Sequence, residues 1–443
     1  MRKTILICLS CLILCSVQAQ ERWSLERCIS YALQNNAQVR KAQAASKEYG
    51  IRLNTARNSR LPELNANLGQ NVYFGRGPSR DGTYKDNTQL STSMGVSASM
   101  TVFAGLRTKH DIAGRKLDLE ASLQDLDRAR EDLSLQITSL FLQALFCREL
   151  VGVAEQQTEM SRKLVERNVL MLQGGRSVEA ELLESRAQLS NDELNQAQAE
   201  NNLTLALLAL SQAMSRESAE DFDIEPPVTD SIRADALYGI KSPAAVFEAA
   251  VSIRPMIRAE KLRLESSTHA LLIAKAARYP QVVLSGGYSN SYFYSFVSGY
   301  NNVAFFNQLR NNGNEFLGLS INIPIFNRLA TRNQINSAKL GVEVQQIVVS
   351  EARLALRKEI ETAFINVHVA FKKYTASAQS VLSATEVFNY EANRVAAGRS
   401  NMYDYNDAKT RLEKAESNML QAKYEFIFNR KILSFYAGEP LTR

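Results

Sequence analysis

The sequence predicts a mainly α fold, interrupted by pairs of β-strands and written twice along the chain. Three observations carry this reading. Most of the 443 residues lie in stretches rich in Ala, Leu, Gln, Glu, Lys and Arg, the composition of long helices. Within them, STSMGVSASMTVFAGLR (91–107) alternates, with Met94, Val96, Ala98, Met100 and Val102 on one side of an extended chain and Ser91, Ser93, Ser97, Ser99 and Thr101 on the other. SMTVFAGLRTKHDIAGRKL also matches NIPIFNRLATRNQINSAKL, with Phe103 falling on Phe326 at a shift of 223 positions.

The N-terminus comes first in the chain. Arg2 and Lys3 precede an apolar run from Ile5 to Cys15, followed by Val17-Gln18-Ala19. This reads as a signal peptide, 1–19, cut after Ala19. Cys15 follows Leu14 and Cys11 comes too early in the apolar run, which argues against a lipid anchor. Removal of Arg2 and Lys3 takes the formal charge from +6 to +4, a mild excess that does not suggest nucleic acid as a partner. Cys28 and Cys147 remain, both among apolar helical positions and read as small buried hydrophobes.

The first repeat is expected over 20–217. A helix from about Leu25 to Arg60 stops at Pro62, which disfavours helix in the residue before it. Leu64, Ala66, Leu68, Val72 and Phe74 alternate with Asn65, Asn67, Gly69 and Asn71 as a first strand, a polar loop follows over 75–87, and 91–107 is the second strand. A helix from Leu106 to Gln173, roughly 100 Å at 1.5 Å per residue, carries a seven-residue apolar pattern through Leu119, Leu126, Leu133, Leu140 and Cys147. A Gly turn then leads to a helix over 177–215.

An acidic, Pro-containing linker over 218–241 separates this from the second repeat, 242–443, where Ser242-Pro243 makes a good helix start. Val282, Leu284, Tyr288, Tyr292 and Tyr294 alternate with serines as a third strand. Leu317, Leu319, Ile321, Ile323 and Ile325 form one face of a fourth, with Pro324 near its end. Arg60-Leu61-Pro62 matches Arg278-Tyr279-Pro280 at a shift of 218, so the copies differ by five residues between proline and phenylalanine. Helices over 243–277, 328–396 and 401–436 complete the copy.

The polar strand faces are Ser, Asn, Thr and Gly, as in a water-filled lumen. Each strand is long enough for the roughly 9 to 11 residues that cross a bilayer, whereas no apolar run reaches the roughly 18 of a spanning helix. Tyr288, Tyr292, Phe293, Tyr294, Phe296 and Tyr300 suit an interfacial girdle. Four strands cannot close on themselves, and an open edge in lipid costs several kcal/mol per unpaired group. Two chains give eight strands and a filled barrel, so a water-filled channel needs at least three.

The duplicated plan, Trp23-Ser24-Leu25-Glu26, Leu61-Pro62, the Phe103-Ala104-Gly105 junction and the two Gly turns resemble the TolC-like outer-membrane efflux family, over essentially the whole mature chain. The resemblance implies a homotrimer with a 12-stranded barrel among outer-membrane lipid and a helical tunnel through the periplasm. It also implies docking to a periplasmic adaptor (membrane fusion) protein and an inner-membrane pump of the RND or ABC type. No enzyme is expected: His110, His269 and His368 stand apart in sequence, no phosphate loop with Lys is present, and neither cofactor nor metal is predicted.

Site expectations centre on the Gly turns. Gly398 is followed by Asp404 and Asp407 at +6 and +9, and Gly175 by Glu181 and Glu184 at the same spacing. Asp404 and Asp407 match the family's paired tip aspartates, whose rings around the entrance favour cations. Carboxylates in a helix's first turns also complement its dipole; the gate reading is preferred for the aspartates, the dipole reading for Glu181 and Glu184. The family's latching Tyr and Arg are replaced by Val395 and Ser400. Gly174, Gly175, Arg176, Ser177, Gly398, Arg399 and Ser400 are the expected adaptor contacts, on the resemblance alone. Two other readings fit the same features: a duct for type I protein secretion, and a periplasmic coiled-coil scaffold that forms no channel.

Overall fold

The computed structural model describes residues 22–78, 82–218, 220–226, 237, 242–397, 399, 401–439 and 441. The expected signal peptide, Gly398 and Ser400 lie outside the described residues, as do 219, 227–236 and 238–241 of the linker. In chain order the elements are β1 (Arg22–Trp23), α1 (Leu25–Asn35), α2 (Ala37–Asn58), β2 (Glu63–Tyr73), β3 (Arg76–Pro78), β4 (Tyr84–Asp86), β5 (Gln89–Ala104), α3 (Arg107–Gln173) and α4 (Glu179–Ala213). They continue with β6 (Asp223–Ile224), α5 (Pro243–Ile253), α6 (Pro255–Ala276), β7 (Gln281–Ser295), α7 (Phe305–Asn311), β8 (Asn314–Asn322), α8 (Ala330–Ala396) and α9 (Met402–Tyr436).

The copies agree helix by helix. α1 and α5 have 11 residues each, α2 and α6 have 22, α3 and α8 have 67, and α4 and α9 have 35. Ser24 and Ser242, 218 positions apart, cap α1 and α5 by accepting the amides of Arg27 and Ala245 at 3.3 and 3.4 Å. Even backbone exceptions repeat: Gly105 and Leu106 have φ of +59° and +66°, Arg328 and Leu329 +54° and +62°. At Gly105 the choice is forced, because a Cβ there would meet Ala276 O and Tyr279 Cβ at 2.8 Å.

Two compact units are present, each assembled from pieces of both copies. One comprises Met1–Ala44, Gln124–Arg258 and Glu351–Arg443, the other Ala45–Leu123 and Ala259–Ser350.

The first unit is helical. Its main core buries Cys28 and Ala32 of α1 and Val39 of α2 against Leu133, Ile137 and Ala144 of α3 and Leu210 of α4. A second core buries the residues that duplication places at the same points: Val246, Ala250, Ile257, Leu356, Ile360, Val367 and Leu433. α3 does contain an 18-residue window apolar enough to cross a membrane, contrary to the expectation that no such run exists. Less than half of that window, 44%, is buried within the chain, Ile137, Phe141, Ala144 and Leu145 being core positions of the helical unit. Of the seven-residue pattern, Leu126, Leu133 and Cys147 are buried.

Each expected helix before a strand is in fact two. The chain turns extended at Asn36 and at Arg254, and in the second copy Pro255 disfavours helix at the residue before it. Both break residues reach the end of the returning helix: Asn36 Nδ2 donates to Ala213 O at 2.8 Å, and Arg254 donates to Phe435 O. Such carbonyls have no partner within their own helix. Asn36 Oδ1 also accepts the Gln38 amide at 2.7 Å, capping α2. Arg254 is buried, stacks 3.9 Å from the Phe435 ring centroid, and pairs with Glu131 at 3.1 Å. A two-residue parallel bridge, β1 with β6, was not foreseen; it is held by Arg148, which donates to Ile224 O and to the Asp223 carboxylate.

The second unit holds an antiparallel sheet in the order β2-β5-β7-β8, the four strands expected. Its apolar face carries Leu64, Leu68, Val72, Met94, Val96, Met100, Leu284, Tyr288, Leu317, Leu319 and Ile321 in cross-strand register. Asn, Ser and Gly populate the other face. The register corrects three details. A bulge between Thr101 and Phe103 makes Val102 the extra residue and sets Phe103 opposite Val282. β8 ends at Asn322, so Ile323 and Ile325 are off the strand, as the missing donor of Pro324 requires. Phe293 lies with the serines, away from the girdle tyrosines. The loop over 75–87 also contains a small hairpin, β3 with β4.

Burial holds the Glu131 carboxyl above the ordinary carboxylate range, an effect that Arg254 partly offsets. In Arg254→Met the offset is gone and the partly buried carboxylate loses its cation, at a cost of about 1–3 kcal/mol. An acid whose folded pKa lies above its unfolded value loses stability as pH rises from the unfolded toward the folded value. The ionic part of the deficit is therefore expected to grow from pH 4 to pH 8, on top of a pH-independent part from the lost Phe435 carbonyl bond and ring stack, as read from thermal melts at both.

Candidate functional site: the paired helix turns

The two turns joining α3 to α4 and α8 to α9 are built alike. Gly175 N–H donates to Leu172 O at 3.0 Å and Arg176 N–H to Met171 O at 2.8 Å. The second bond needs a left-handed residue between helix and donor, and Gly175, at φ +68°, supplies it. In the second copy Arg399 N–H donates to Arg394 O at 2.8 Å, the same bond 223 positions on. Arg394 turns back to donate to Arg399 O at 3.1 Å while pairing with Glu391 at 2.9 Å. The turn is thus closed by a side chain as well as by backbone.

The four expected carboxylates sit in the first turns of the returning helices. Glu181 is exposed on α4 and accepts from Ser177 Oγ at 2.6 Å; Glu184 is exposed one turn further. Asp404 is half-buried at the start of α9, its amide bound by the capping Asn401 Oδ1 at 2.8 Å. Asp407 is exposed and pairs with Arg411 one turn on, at 2.7 Å. Each carboxylate pair therefore stays on its own helix, and every one of these contacts is local. Gly174, Arg176 and Ser177 lie around the first turn.

What joins the two turns was not read from the sequence. Arg167, near the end of α3, donates to Val395 O and Ala396 O at 3.1 and 3.2 Å, capping the last carbonyls of α8. Lys409 of α9 is buried at 2% side-chain exposure against Asp192 of α4 at 1%. Its ammonium donates to the Asp192 carboxylate, to Ser161 Oγ at 2.5 Å and to Gln157 O at 3.2 Å. Gln188 donates to the other Asp192 oxygen at 2.9 Å, and Ser161 to the first at 2.5 Å. The ion pair thus ties three helices, α3, α4 and α9, at one point.

Around this pair the environment is apolar and acidic. Leu164, Phe388, Met402, Tyr405 and Leu412 form a small core beside it, with Phe388 and Tyr405 rings 5.4 Å apart. Burial, then the charge of Asp192, pushes the Tyr405 phenol and the Glu413 carboxyl up. One signal in the sequence pointed here: Tyr405, Lys409 and Leu412 share a helical stripe, and a lysine inside an apolar stripe demands a buried partner. Two of the three histidines read as isolated are brought together, since His110 Nδ1 and His269 Nδ1 lie 3.2 Å apart in the second unit.

Removing one partner of a buried pair strands the other, so Lys409→Met should cost about 3–5 kcal/mol, whereas adding Asp192→Leu should recover most of the loss. The check is denaturant unfolding of the three variants. A double variant no more stable than Lys409→Met would sink the pairing as the source of the effect.

Comparison with known proteins bears on the family and the fold. The outer membrane efflux protein family matches residues 28–216 and 246–439, one segment in each copy. The TolC outer membrane protein of Escherichia coli is 21% identical over 408 residues, covering 89% of this chain and 78% of that one. The protein CyaE of Bordetella pertussis is 24% identical over 341 residues, covering 75% of this chain and 66% of that one. Among solved structures, the CmeC outer membrane channel of Campylobacter jejuni superposes with a TM-score of 0.77 at 18% identity, covering 93% of this chain and 85% of that one. The open state of the MtrE channel of Neisseria gonorrhoeae gives 0.71 at 21% identity, covering 94% and 89%. The chain belongs to the outer membrane efflux protein family, whose members are outer-membrane channels with periplasmic helical tunnels.

Proposed function

We propose that this protein is the passive outer-membrane duct of a tripartite efflux system, working as a homotrimer. The observation that carries the reading is the four-stranded sheet. It is apolar on one face and lined with Ser, Asn and Gly on the other, and its outer strands, β2 and β8, have open edges. Three copies joined edge to edge make twelve strands, satisfy every edge, and enclose a lumen wide enough for water. The repeats, 20–217 and 242–443, each contribute two strands, and the linker 218–241 joins them.

In this reading α3, α4, α8 and α9 form the periplasmic tunnel and the two turns mark its inner entrance. Asp404 and Asp407 line that entrance, and three copies of each make stacked carboxylate rings that favour cations. Lys409–Asp192 and the Arg167 cap hold the second pair of helices against the first, in place of the family's Tyr and Arg. A periplasmic adaptor grips the turns at 174–177 and 398–400, and an inner-membrane pump of the RND or ABC type supplies both energy and substrate choice. A wall of Ser and Asn selects little by itself.

In planar bilayers the protein should conduct as discrete channels, and Asp404→Ala with Asp407→Ala should lower cation over anion preference. Absence of conductance favours the scaffold reading, and unchanged selectivity removes the gate assignment.

Cysteine crosslinking tests the docking site. The two native thiols outside the expected signal peptide are poor nucleophiles: burial pushes Cys28 up to about 12 and also raises Cys147. Ser177→Cys or Ser400→Cys should therefore link selectively to a co-expressed adaptor, and a clean absence of adducts at both counts against the turns as contacts.

A further inference from the structure

β7 is longer than its neighbour: it runs to Ser295, but its pairing with β8 stops at Ser289 opposite Asn314. The upper edge of β7 is nonetheless bonded. Gln308 of α7 donates to Phe293 O at 2.7 Å and accepts the Phe293 amide at 3.0 Å. Asn302 does the same for Ser295, accepting at 2.7 Å and donating at 2.8 Å, and Asn312 donates to Ser291 O at 2.7 Å. Three amide side chains thus stand in for a missing strand. Water would satisfy such an edge without help; hydrocarbon does not.

The segment also lies on a definite side of the sheet. Tyr288, Asn290 and Tyr292 point to the apolar face. Asn290 donates to Leu309 O at 2.6 Å, and Phe305 packs edge-on to Tyr292 with centroids 4.9 Å apart. α7 therefore continues the aromatic row of that face sideways, at the end of β7 remote from α6. Phe306 is 81% exposed, and Arg310, one turn along, is exposed as well. Tyr300 lies differently, its ring edge-on to Phe293 of the polar face with centroids 5.8 Å apart.

We propose that α7 is an interfacial helix, with Phe305 and Phe306 seated in the outer leaflet at the boundary of headgroups and acyl chains and Arg310 reaching the headgroup phosphates. Aromatic side chains concentrate at that depth, and a long basic side chain there extends toward phosphate. The occupant is lipid because the surface is continuous with the lipid face of the barrel; the proposal rests on that reading of the sheet. β8 can start late because α7 completes the wall where the strand is absent.

The test uses the whole protein in vesicles of phosphatidylethanolamine and brominated phosphatidylcholine, with single tryptophans added at three places. The lone native Trp23, measured in the unsubstituted protein, is the background. Leu319→Trp reports the lipid face of β8, Phe306→Trp reports α7, and Tyr300→Trp reports the polar side. The expected result is blue-shifted, bromine-quenched emission from Leu319→Trp and Phe306→Trp and unquenched emission from Tyr300→Trp. Quenching at Leu319→Trp but none at Phe306→Trp overturns the helix assignment alone. No quenching at Leu319→Trp overturns the membrane sheet and the proposal with it.

Discussion

An unpaired strand edge in hydrocarbon costs several kcal/mol for each bare amide or carbonyl, and this chain's sheet has two such edges, β2 and β8. The constraint shapes the strands as well as the proposed assembly. Inner strands β5 and β7 are the long ones, with 16 and 15 residues, and the edge strands have 11 and 9. Where β7 outruns β8, amide side chains of the intervening segment bond its backbone. The length of β7 that outruns β8 is thus covered.

Duplication explains the rest of the architecture economically. Equal helix lengths, equivalent core positions and matching serine caps mean that one set of packing rules serves both halves. The copies part where their tasks diverge. At the helix breaks, Asn36 and Arg254 solve one problem, bonding the end of a returning helix, with different chemistry. Arg254 adds an ion pair and a ring stack. At the turns, the second copy alone contributes Lys409, whose burial beside Asp192 makes α9 a partner of α3 and α4. A buried pair of this kind is not an efficient stabiliser; what it does here is join three helices at one level.

Much of this was legible in advance because it is written locally. The long helices were placed to within a few residues, since Pro62, the left-handed turn after Gln173 and Ser242-Pro243 mark their ends by backbone geometry alone. The strands were visible as alternation, yet Val102 is a bulge residue within its strand and Ile323 lies beyond the end of its own. A bulge depends on the partner strand, and the effect of Pro324 on the ladder depends on which side is paired. The breaks at Asn36 and Arg254 were missed for a related reason, as their side chains serve carbonyls at Ala213 and Phe435, remote in sequence.

The candidate site divides in the same way. Gly175 and the carboxylates at +6 and +9 follow from spacing, because turns and helix starts are short-range objects. Lys409 and Asp192 are separated by 217 positions, and His110 and His269 by 159. Periodicity reveals that each lies on a particular helix face. Only packing of the helices brings those faces together, because a charge can be buried there solely when its partner arrives from another part of the chain.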